Sequence, residues 1–187
     1  MKLGKLVDFS SGLMVSRKKE EDADEIYKVI NLATVINSGE VNLKRSDYLN
    51  TSMDISKYLV KSGDVIIKLS PPYDAFCIND EMNNYVLSHY YCKMEINSKK
   101  VLPEYLTWYL NSKYSKKFFR LFSKGSTIRR LPINRLKGID IEMISIKDQK
   151  NIVEMNELIK REKKLLEQLI IKREEQLTGY ADHMIKK

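Results

Sequence analysis

The chain has 187 residues, of which 43% are hydrophobic, and its formal net charge is +8. This length predicts one ordinary domain with an extension, and the apolar content excludes a chain that is disordered throughout. The sequence shows no apolar run near the roughly 20 residues that span a bilayer, no secretory signal at its start, and only two cysteines. These features predict a cytoplasmic protein with reduced thiols, not a membrane protein or a disulfide-stabilised secreted domain.

The first 97 residues predict a strand-rich region. Apolar runs at 27–32, 63–69 and 85–94 contain many β-branched and aromatic residues, and turn-forming residues separate them. A charged surface loop is predicted for 15–25. This part of the chain is therefore expected to form short strands that are joined by loops.

Residues 103–122 change to a helical period. Apolar and aromatic side chains recur every three or four residues after Pro103, while the basic residues fall largely on the other faces. We therefore expect the aromatic rings of this helix to belong to the core. The segment 124–130 has the Gly, Ser and Arg residues of a loop, and 139–144 alternates like a half-buried strand.

The last forty residues predict a long helix. Ser145 and Asp148 match the capping pattern that opens a helix, and Gly179 is expected to loosen the last turns. A rod this long extends past a small domain, so its apolar stripe needs a second helix. The predicted dimer interface consists of Ile152, Met155, Ile159, Leu166 and Leu169. The predicted fold is α+β, with a mixed globular domain over 1–145 and a long C-terminal helix over 146–187.

The positive charge is concentrated in one segment. Residues 98–137 hold eleven Lys or Arg residues and one acidic residue, a local charge of +10, whereas the rest of the chain is nearly balanced. Such a patch is typical of a protein that binds the phosphate backbone of nucleic acid. A loop can bind DNA through arginine guanidinium groups and hydroxyl groups, and a glycine lets its backbone approach the DNA closely. The candidate DNA contacts are Lys68, Ser70 and Tyr73 on one loop, and Lys124, Ser126, Thr127, Arg129, Arg130 and Arg135 on another.

Three kinds of chemical site are weaker interpretations. The tetrapeptide 70–73, Ser-Pro-Pro-Tyr, is similar to one that amino-methyltransferases use, but no Gly-rich nucleotide loop or strand–helix alternation accompanies it. Cys77, His89 and Cys92 lack the paired spacing of a zinc site, and the acidic residues lack a nuclease E-x-K motif. We expect no catalytic residue and no metal in this chain. The alternatives are an amino-methyltransferase fragment and a coiled-coil adaptor or decoy that does not contact DNA.

The order of several short motifs resembles half of a specificity (S) subunit of type I restriction–modification systems. Each motif is short, but together they cover nearly the whole chain in a specific order. They lie at 3–8 with Ser11-Gly12, and at 27–32, 59–67, 102–112, 125–131, 139–141 and 148–152. The chain departs from the family in having no proline before the last motif. It also has one recognition domain and one helical region, where full-length members have two of each.

The resemblance implies a subunit that is not an enzyme. Such subunits read DNA sequence and hold the modification (M) and restriction (R) subunits. S-adenosylmethionine is then expected in the modification subunit, with no cofactor in this chain. The two helical regions of the family pair as an antiparallel coiled coil that spaces two recognition domains. A half-length chain restores this layout by homodimerising through 148–185, and twofold symmetry implies a palindromic, two-part target.

Overall fold

The computed structural model describes residues 1–15, 25–36, 39–122 and 130–185. The chain divides into two compact units, Met1–Gln149 and Lys150–Lys187. The first unit contains the sheets and the shorter helices, and the second consists of the long C-terminal helix after its first turn. The division falls a few residues after the boundary that the sequence predicts at 145.

Among the described residues, seven strands form two sheets in the first unit. They are β1 (Val7–Ser11), β2 (Ile26–Ile30), β3 (Asp47–Asn50), β4 (Val65–Lys68), β5 (Ala75–Cys77), β6 (Val86–Leu87) and β7 (Tyr91–Ile96). The four-stranded sheet is antiparallel with the order β1-β7-β4-β5. The three-stranded sheet has the order β3-β2-β6, in which β2 and β6 are parallel. The strands predicted near 27–32 and 63–69 are confirmed as β2 and β4.

The two sheets share a hydrophobic core. Apolar side chains from β2, β4, β5, β6 and β7 pack into one buried cluster, whose removal from water stabilises the fold. Gly12 allows the chain after β1 to approach β6 closely, because a Cβ atom at this position would lie 2.1 Å from the Ser88 carbonyl oxygen. The next residue, Leu13, donates its N–H to the Leu87 carbonyl at 2.7 Å. The end of β1 therefore reaches from one sheet to the other.

Four helices are seen in the described residues. They are α1 (Pro103–Asn111), α2 (Lys113–Phe122), α3 (Ile133–Leu136) and α4 (Ile146–Ile185), and α1 packs against β4 and β5. The sequence predicts one helix over 103–122, but the structure has a break at Ser112, where the backbone is extended. The Ser112 hydroxyl oxygen accepts the Ser115 N–H at 3.3 Å and so caps α2. The break therefore has a local cause that the apolar period conceals.

The run predicted as one strand over 85–94 is divided into β6 and β7. The chain turns between them, and the Tyr91 N–H donates to the Ser88 carbonyl at 3.1 Å across the turn. His89 and Tyr90 form the middle of this turn. Since the apolar run continues through the turn, its composition hides the break.

The segment 139–144 is not a strand of either sheet, so that prediction is wrong. Asp140 of this segment forms an isolated antiparallel β-bridge with Lys2. The side chains of these two residues also form an ion pair at 2.7 Å. The alternation itself is present, because Ile139 and Ile141 are fully buried while Asp140 is exposed. Alternation shows which face is buried, but a strand also needs an extended partner, and Leu3–Lys5 beside this segment form a short 3-10 helix.

The long helix begins at the predicted capping pair. The Ser145 hydroxyl accepts the Asp148 N–H at 3.1 Å and donates to the Asp148 carboxylate at 2.6 Å. From Ile146 the helix α4 runs for 40 residues, which corresponds to about 60 Å at 1.5 Å per residue. It continues unbroken through Gly179 to Ile185, so the predicted loosening is wrong. Within the described ranges, every helix is too short or too polar to cross a membrane.

The buried amide of Gln149 connects the first turn of α4 to the start of α1. Its side-chain oxygen accepts the Leu102 N–H at 2.9 Å, and its nitrogen donates to the carbonyl oxygens of Lys100 at 2.8 Å and Ile144 at 3.0 Å. Gln149 has no solvent exposure. One buried amide therefore satisfies three backbone groups.

Replacing Gln149 by Leu should lower the free energy of unfolding of the first unit by about 2–4 kcal/mol. Leucine has a similar size but leaves the Leu102 N–H and the carbonyl oxygens of Lys100 and Ile144 without this partner. Urea unfolding of the full chain measures the change. Gln168 is exposed on the same helix, so Gln168→Leu is the matched control and should change the value by less than about 0.5 kcal/mol. Equal stability of Gln149→Leu and the parent chain would contradict this role for the amide.

Candidate nucleic-acid interface

Three segments that are distant in sequence meet where β4 ends. Leu69 donates its N–H to the Tyr90 carbonyl at 2.9 Å, and its own carbonyl accepts the Leu131 N–H at 2.7 Å. The end of β4 is thereby joined to the turn between β6 and β7 and to the segment that leads into α3. We call this meeting point the Leu69 junction. Both bonds join backbone groups, so the junction does not depend on the chemistry of one side chain.

The Ser-Pro-Pro-Tyr loop (70–73) leaves this junction and is anchored by side chains of α1 and α2. Lys116 Nζ donates to the carbonyl oxygen of the loop's second proline at 2.8 Å and forms an ion pair with Asp74 at 2.8 Å. Asn111, at the end of α1, accepts the Ala75 N–H at 3.0 Å and donates to the Ala75 carbonyl at 2.7 Å. These bonds hold the far end of the loop against the helices.

The prediction that Tyr73 contacts DNA is wrong. Its side chain is only 2% exposed and packs against Phe119 of α2, with ring centroids 5.8 Å apart. A ring buried in the domain cannot stack on a base, so Tyr73 anchors the loop from inside. The same burial removes the stacking ring that the amino-methyltransferase interpretation requires.

Arg130 is attached to the junction through His89. Its Nη2 donates to the His89 carbonyl at 2.8 Å while the residue stays exposed. A guanidinium has five N–H donors, so this bond leaves others for an anionic or base partner. The exposed ring of Tyr90 lies 4.0 Å from the His89 ring, centroid to centroid. The His89 carbonyl therefore binds the Arg130 guanidinium, and the His89 imidazole lies against the Tyr90 ring.

The protonated form of the His89 imidazole is disfavoured. Burial, and then the positive charge of Arg130, lower its pKa below the ordinary value. A lowered pKa favours the uncharged ring. The fixed positive charge of this turn is therefore that of Arg130.

Four of the predicted DNA contacts lie on segments of the junction. Lys68 and Ser70 are half-buried at the end of β4 and the start of the loop, and Arg130 and Arg135 are exposed. The Arg135 guanidinium lies 5.0 Å from the centre of the Phe122 ring. A shallow depression of about 420 Å³ is lined by Leu69 and residues 130–134, so Arg130 is the predicted contact that borders it. The tertiary structure thus brings together residues from both loops that the sequence singles out.

The other predicted contacts of the basic loop are Lys124, Ser126, Thr127 and Arg129. They lie outside the described residues, and their DNA contacts stay predictions.

The basic residues of α2 form an exposed face. Lys113, Lys117 and Arg120 are exposed, whereas Phe119 is fully buried, as the amphipathic pattern predicts. Tyr114 and Phe122 differ from the prediction of core rings, because they are 56% and 37% exposed. The helix α2 therefore adds positive charge to the domain surface, and its Phe119 ring packs in the core.

The predicted dimer interface lies on α4. Met155, Ile159, Leu166 and Leu169 are each at least half exposed in the described chain, and Ile152 is half-buried. Large apolar side chains that stay exposed are typical of an interaction surface, and the dimer interface stays a prediction.

The described residues give no support to the enzymatic and metal interpretations. The larger sheet is antiparallel, whereas a nucleotide-binding doubly wound fold needs a parallel sheet. Within these residues, no three His, Cys, Asp or Glu side chains are grouped closely enough to hold a metal ion. Burial raises the pKa of Cys77 and Cys92 to about 12, so both thiols are protonated and unreactive at neutral pH.

Four residues that shape the junction escape sequence reasoning. His89 and Tyr90 lie inside an apolar run, and the polar pair Ser88-His89 is the signal that could have indicated a turn there. Asn111 and Lys116 have partners 36 and 42 residues away. No local pattern in the sequence identifies such pairs.

The sequence matches one family model, which is described as the Type I restriction modification DNA specificity domain, over residues 1–172. No curated protein matches the chain in sequence.

Solved structures share the fold. The HsdS subunit from Thermoanaerobacter tengcongensis aligns with a TM-score of 0.71 at 14% identity, covering 90% of this chain and 43% of that one. A chain from work on complex assembly and conformational transition of the type I R-M system gives 0.68 at 14% identity, covering 88% and 43%. The S subunit of a type I restriction–modification system from M. genitalium gives 0.56 at 14% identity, covering 86% and 38%. This chain thus spans less than half the length of each.

The family model covers both sheets, the junction and most of α4. The α+β architecture, with a long C-terminal helix, is also that of the HsdS structure. The chain therefore belongs to the family of type I restriction–modification DNA specificity domains.

Proposed function

We propose that this protein is the DNA-reading specificity subunit of a type I restriction–modification complex and that its first unit recognises one half of a bipartite site. The observation that carries the proposal is the Leu69 junction, which brings Ser70, Tyr90 and Arg130 to one region of a specificity-family domain. A hydroxyl, an aromatic ring and a guanidinium fork are groups that contact phosphates, sugars and base edges.

The charge balance around the junction supports an anionic partner. Asp74, beside the loop, is paired with Lys116 at 2.8 Å, so its charge is compensated. Arg130 and Arg135 are exposed, and the outer face of α2 adds further lysines. A field of one sign attracts the phosphate backbone and supplies the salt-dependent part of DNA affinity.

In the proposal, the second unit brings two copies of the DNA-binding surface together by dimerisation. A helix of about 60 Å with an exposed apolar row is stabilised by packing against another helix. In the proposal a second copy of the chain supplies that helix, which gives two recognition units and a palindromic, two-part target. The chain covers 43% of the HsdS chain, which is close to the share of one half.

The proposal assigns catalysis to partner subunits. Modification subunits, and a restriction subunit in the complete complex, would hold the S-adenosylmethionine and the nucleotide chemistry. This chain would supply the DNA sequence specificity and the attachment surface for them in the cytoplasm. No step of methylation or cleavage is routed through its residues.

Replacing Arg130 and Arg135 together by Ala should weaken binding to random-sequence duplex DNA by about tenfold or more at low salt. The slope of log affinity against log salt should also fall by about one unit for each phosphate contact that is lost. Fluorescence anisotropy titrations at several salt concentrations measure both quantities.

The control for this pair of substitutions removes two positive charges from the second unit. Lys150→Ala with Arg161→Ala changes exposed residues of α4 and should leave the salt slope nearly unchanged. Equal losses in the two double variants would show that net charge alone drives binding. Unchanged affinity and slope in Arg130→Ala with Arg135→Ala would contradict the proposed surface.

Replacing Leu166 and Leu169 by Glu should convert a dimer into monomers in sedimentation experiments. The charged side chains would have to enter an apolar contact, which costs far more than leaving them in water. Gln168→Glu with Lys164→Gln makes the same change of two charge units on the opposite face of α4 and should leave the dimer intact. A dimer that survives the two leucine substitutions would place its interface elsewhere.

The isolated chain should not bind S-adenosylmethionine in a calorimetric titration. The larger sheet is antiparallel, and Tyr73 is buried instead of facing a substrate. Saturable binding at micromolar concentration would instead support the amino-methyltransferase alternative. The same titration with an added modification subunit serves as the positive control.

A further inference from the structure

The helix α2 has an apolar surface beside its basic residues. Tyr114 and Leu121 are each 56% exposed, Phe122 is 37% exposed, and Phe118 is half-buried. Their spacing of three or four residues places them along one side of the helix. We call these four residues the α2 apolar face. Large apolar side chains that are grouped at a surface are typical of a binding site for another macromolecule.

Aromatic rings of α1 extend this face. The Tyr114 ring lies 6.0 Å from the Tyr109 ring, which in turn lies 6.4 Å from the Trp108 ring, centroid to centroid. Tyr109 and Trp108 are both half-buried. At the other end, the Phe118 and Phe122 rings lie 4.7 Å apart. Rings that pack on one another have defined positions before a partner binds, so little side-chain freedom is lost on binding.

The helix α2 is attached to its domain through a different side. Phe119 and Ser115 are fully buried, and the Phe119 ring packs against Tyr73. The Ser115 hydroxyl donates to the Tyr109 carbonyl at 2.7 Å. These contacts fix the helix in place and leave the α2 apolar face at the surface.

Positive charge borders the α2 apolar face. Lys113 and Lys117 are exposed on the adjoining side, and no ion pair among the described residues includes either of them. The sequence of α2 has no acidic residue. At the end of the helix, the Arg135 guanidinium lies over the Phe122 ring. A matching partner therefore has apolar side chains at the centre of its surface and carboxylates at the border.

Duplex DNA matches the basic side of α2 but not its apolar face. A phosphate backbone loses hydration against Leu121 and Phe122, and these side chains offer it no hydrogen bond. A protein surface gains free energy by covering the same side chains. The two sides of this helix therefore fit two different partners.

The same helix also holds a loop of the proposed recognition surface. Lys116 Nζ donates to the Pro72 carbonyl oxygen at 2.8 Å and forms an ion pair with Asp74 at 2.8 Å. The Ser-Pro-Pro-Tyr loop and the α2 apolar face are thus attached to one rigid element. A partner on this face would have a fixed position relative to the Leu69 junction.

We infer that the α2 apolar face binds the modification subunit of the proposed complex, through an apolar surface of that subunit bordered by carboxylates. The inference rests on the proposed function and adds a docking site on the first unit. The modification subunit has to place its reactive group against one base of the site that this unit reads, which requires a fixed geometry between the two proteins. One helix that carries both the docking face and the anchor of the recognition loop provides this geometry.

Neutral substitutions in the full-length chain test the docking face. Tyr114→Ser with Leu121→Ser removes two exposed apolar side chains without changing the charge. The dissociation constant for the purified modification subunit should rise by at least about tenfold, because exposed aromatic and aliphatic anchors supply much of the affinity of a protein interface. Isothermal titration calorimetry measures this constant. Circular dichroism reports whether the variant is folded.

The matched control makes the same kind of change elsewhere in the first unit. Tyr48 and Ile26 are 58% and 67% exposed on the smaller sheet. Tyr48→Ser with Ile26→Ser therefore removes a similar exposed apolar area and should leave the affinity for the modification subunit nearly unchanged.

The charged border has its own test. Lys113→Gln with Lys117→Gln should weaken binding of the modification subunit and make it less sensitive to salt, because carboxylates at the border of the partner lose their counter-charges. Calorimetric titrations at two salt concentrations measure both effects. An unchanged affinity and salt dependence would contradict the acidic border inferred for the partner.

DNA binding and dimerisation distinguish the possible occupants of the face. Tyr114→Ser with Leu121→Ser keeps the net charge, so this variant should bind random-sequence duplex DNA and form dimers as the parent chain does. A loss of DNA affinity would overturn the inference, because the face would then contact DNA. A loss of dimers in sedimentation would also overturn it, since a second copy of the chain would then cover the face.

The outcomes separate this inference from the proposed function. A parent chain that binds no modification subunit would overturn the proposed attachment of that subunit, and the docking face with it. A parent chain that binds the subunit, with Tyr114→Ser and Leu121→Ser binding it as tightly, would overturn the docking face alone. Equal weakening in the control on the smaller sheet would also overturn it, because the loss would then not be specific to α2.

Discussion

The two backbone hydrogen bonds of Leu69 are the constraint on which the proposed recognition surface depends. One bond fixes the turn that contains Tyr90 to the end of β4. The other fixes the segment that contains Arg130 to the same place. Leu69 is 2% exposed, so water does not compete for these bonds. Groups that are far apart in the chain thus keep a defined geometry, which sequence-specific contacts require.

Directional polar bonds define the loops around this junction, and apolar packing stabilises the domain beneath them. The hydrophobic cluster between the sheets holds the strands together but allows a loop several conformations. Asn111 and Lys116 select one conformation by bonding specific backbone atoms beside the Ser-Pro-Pro-Tyr loop. Gln149 does the same where α4 begins. Each of these side chains has partners in another part of the first unit.

The second unit has a different balance of forces. Its apolar side chains are exposed in the single chain, and in the proposed dimer a partner helix covers and stabilises them.

The sequence by itself determined the features that depend on near neighbours. The capping pair Ser145 and Asp148, the strands β2 and β4, and the exposed stripe of α4 follow from local chemistry and periodicity, because their signals lie within a few residues. Only the tertiary structure decided that Tyr73 is buried against Phe119, that His89 carries Arg130, and that 139–144 pairs with the chain start. These features depend on contacts between distant segments, and a single sequence does not record which distant residues meet.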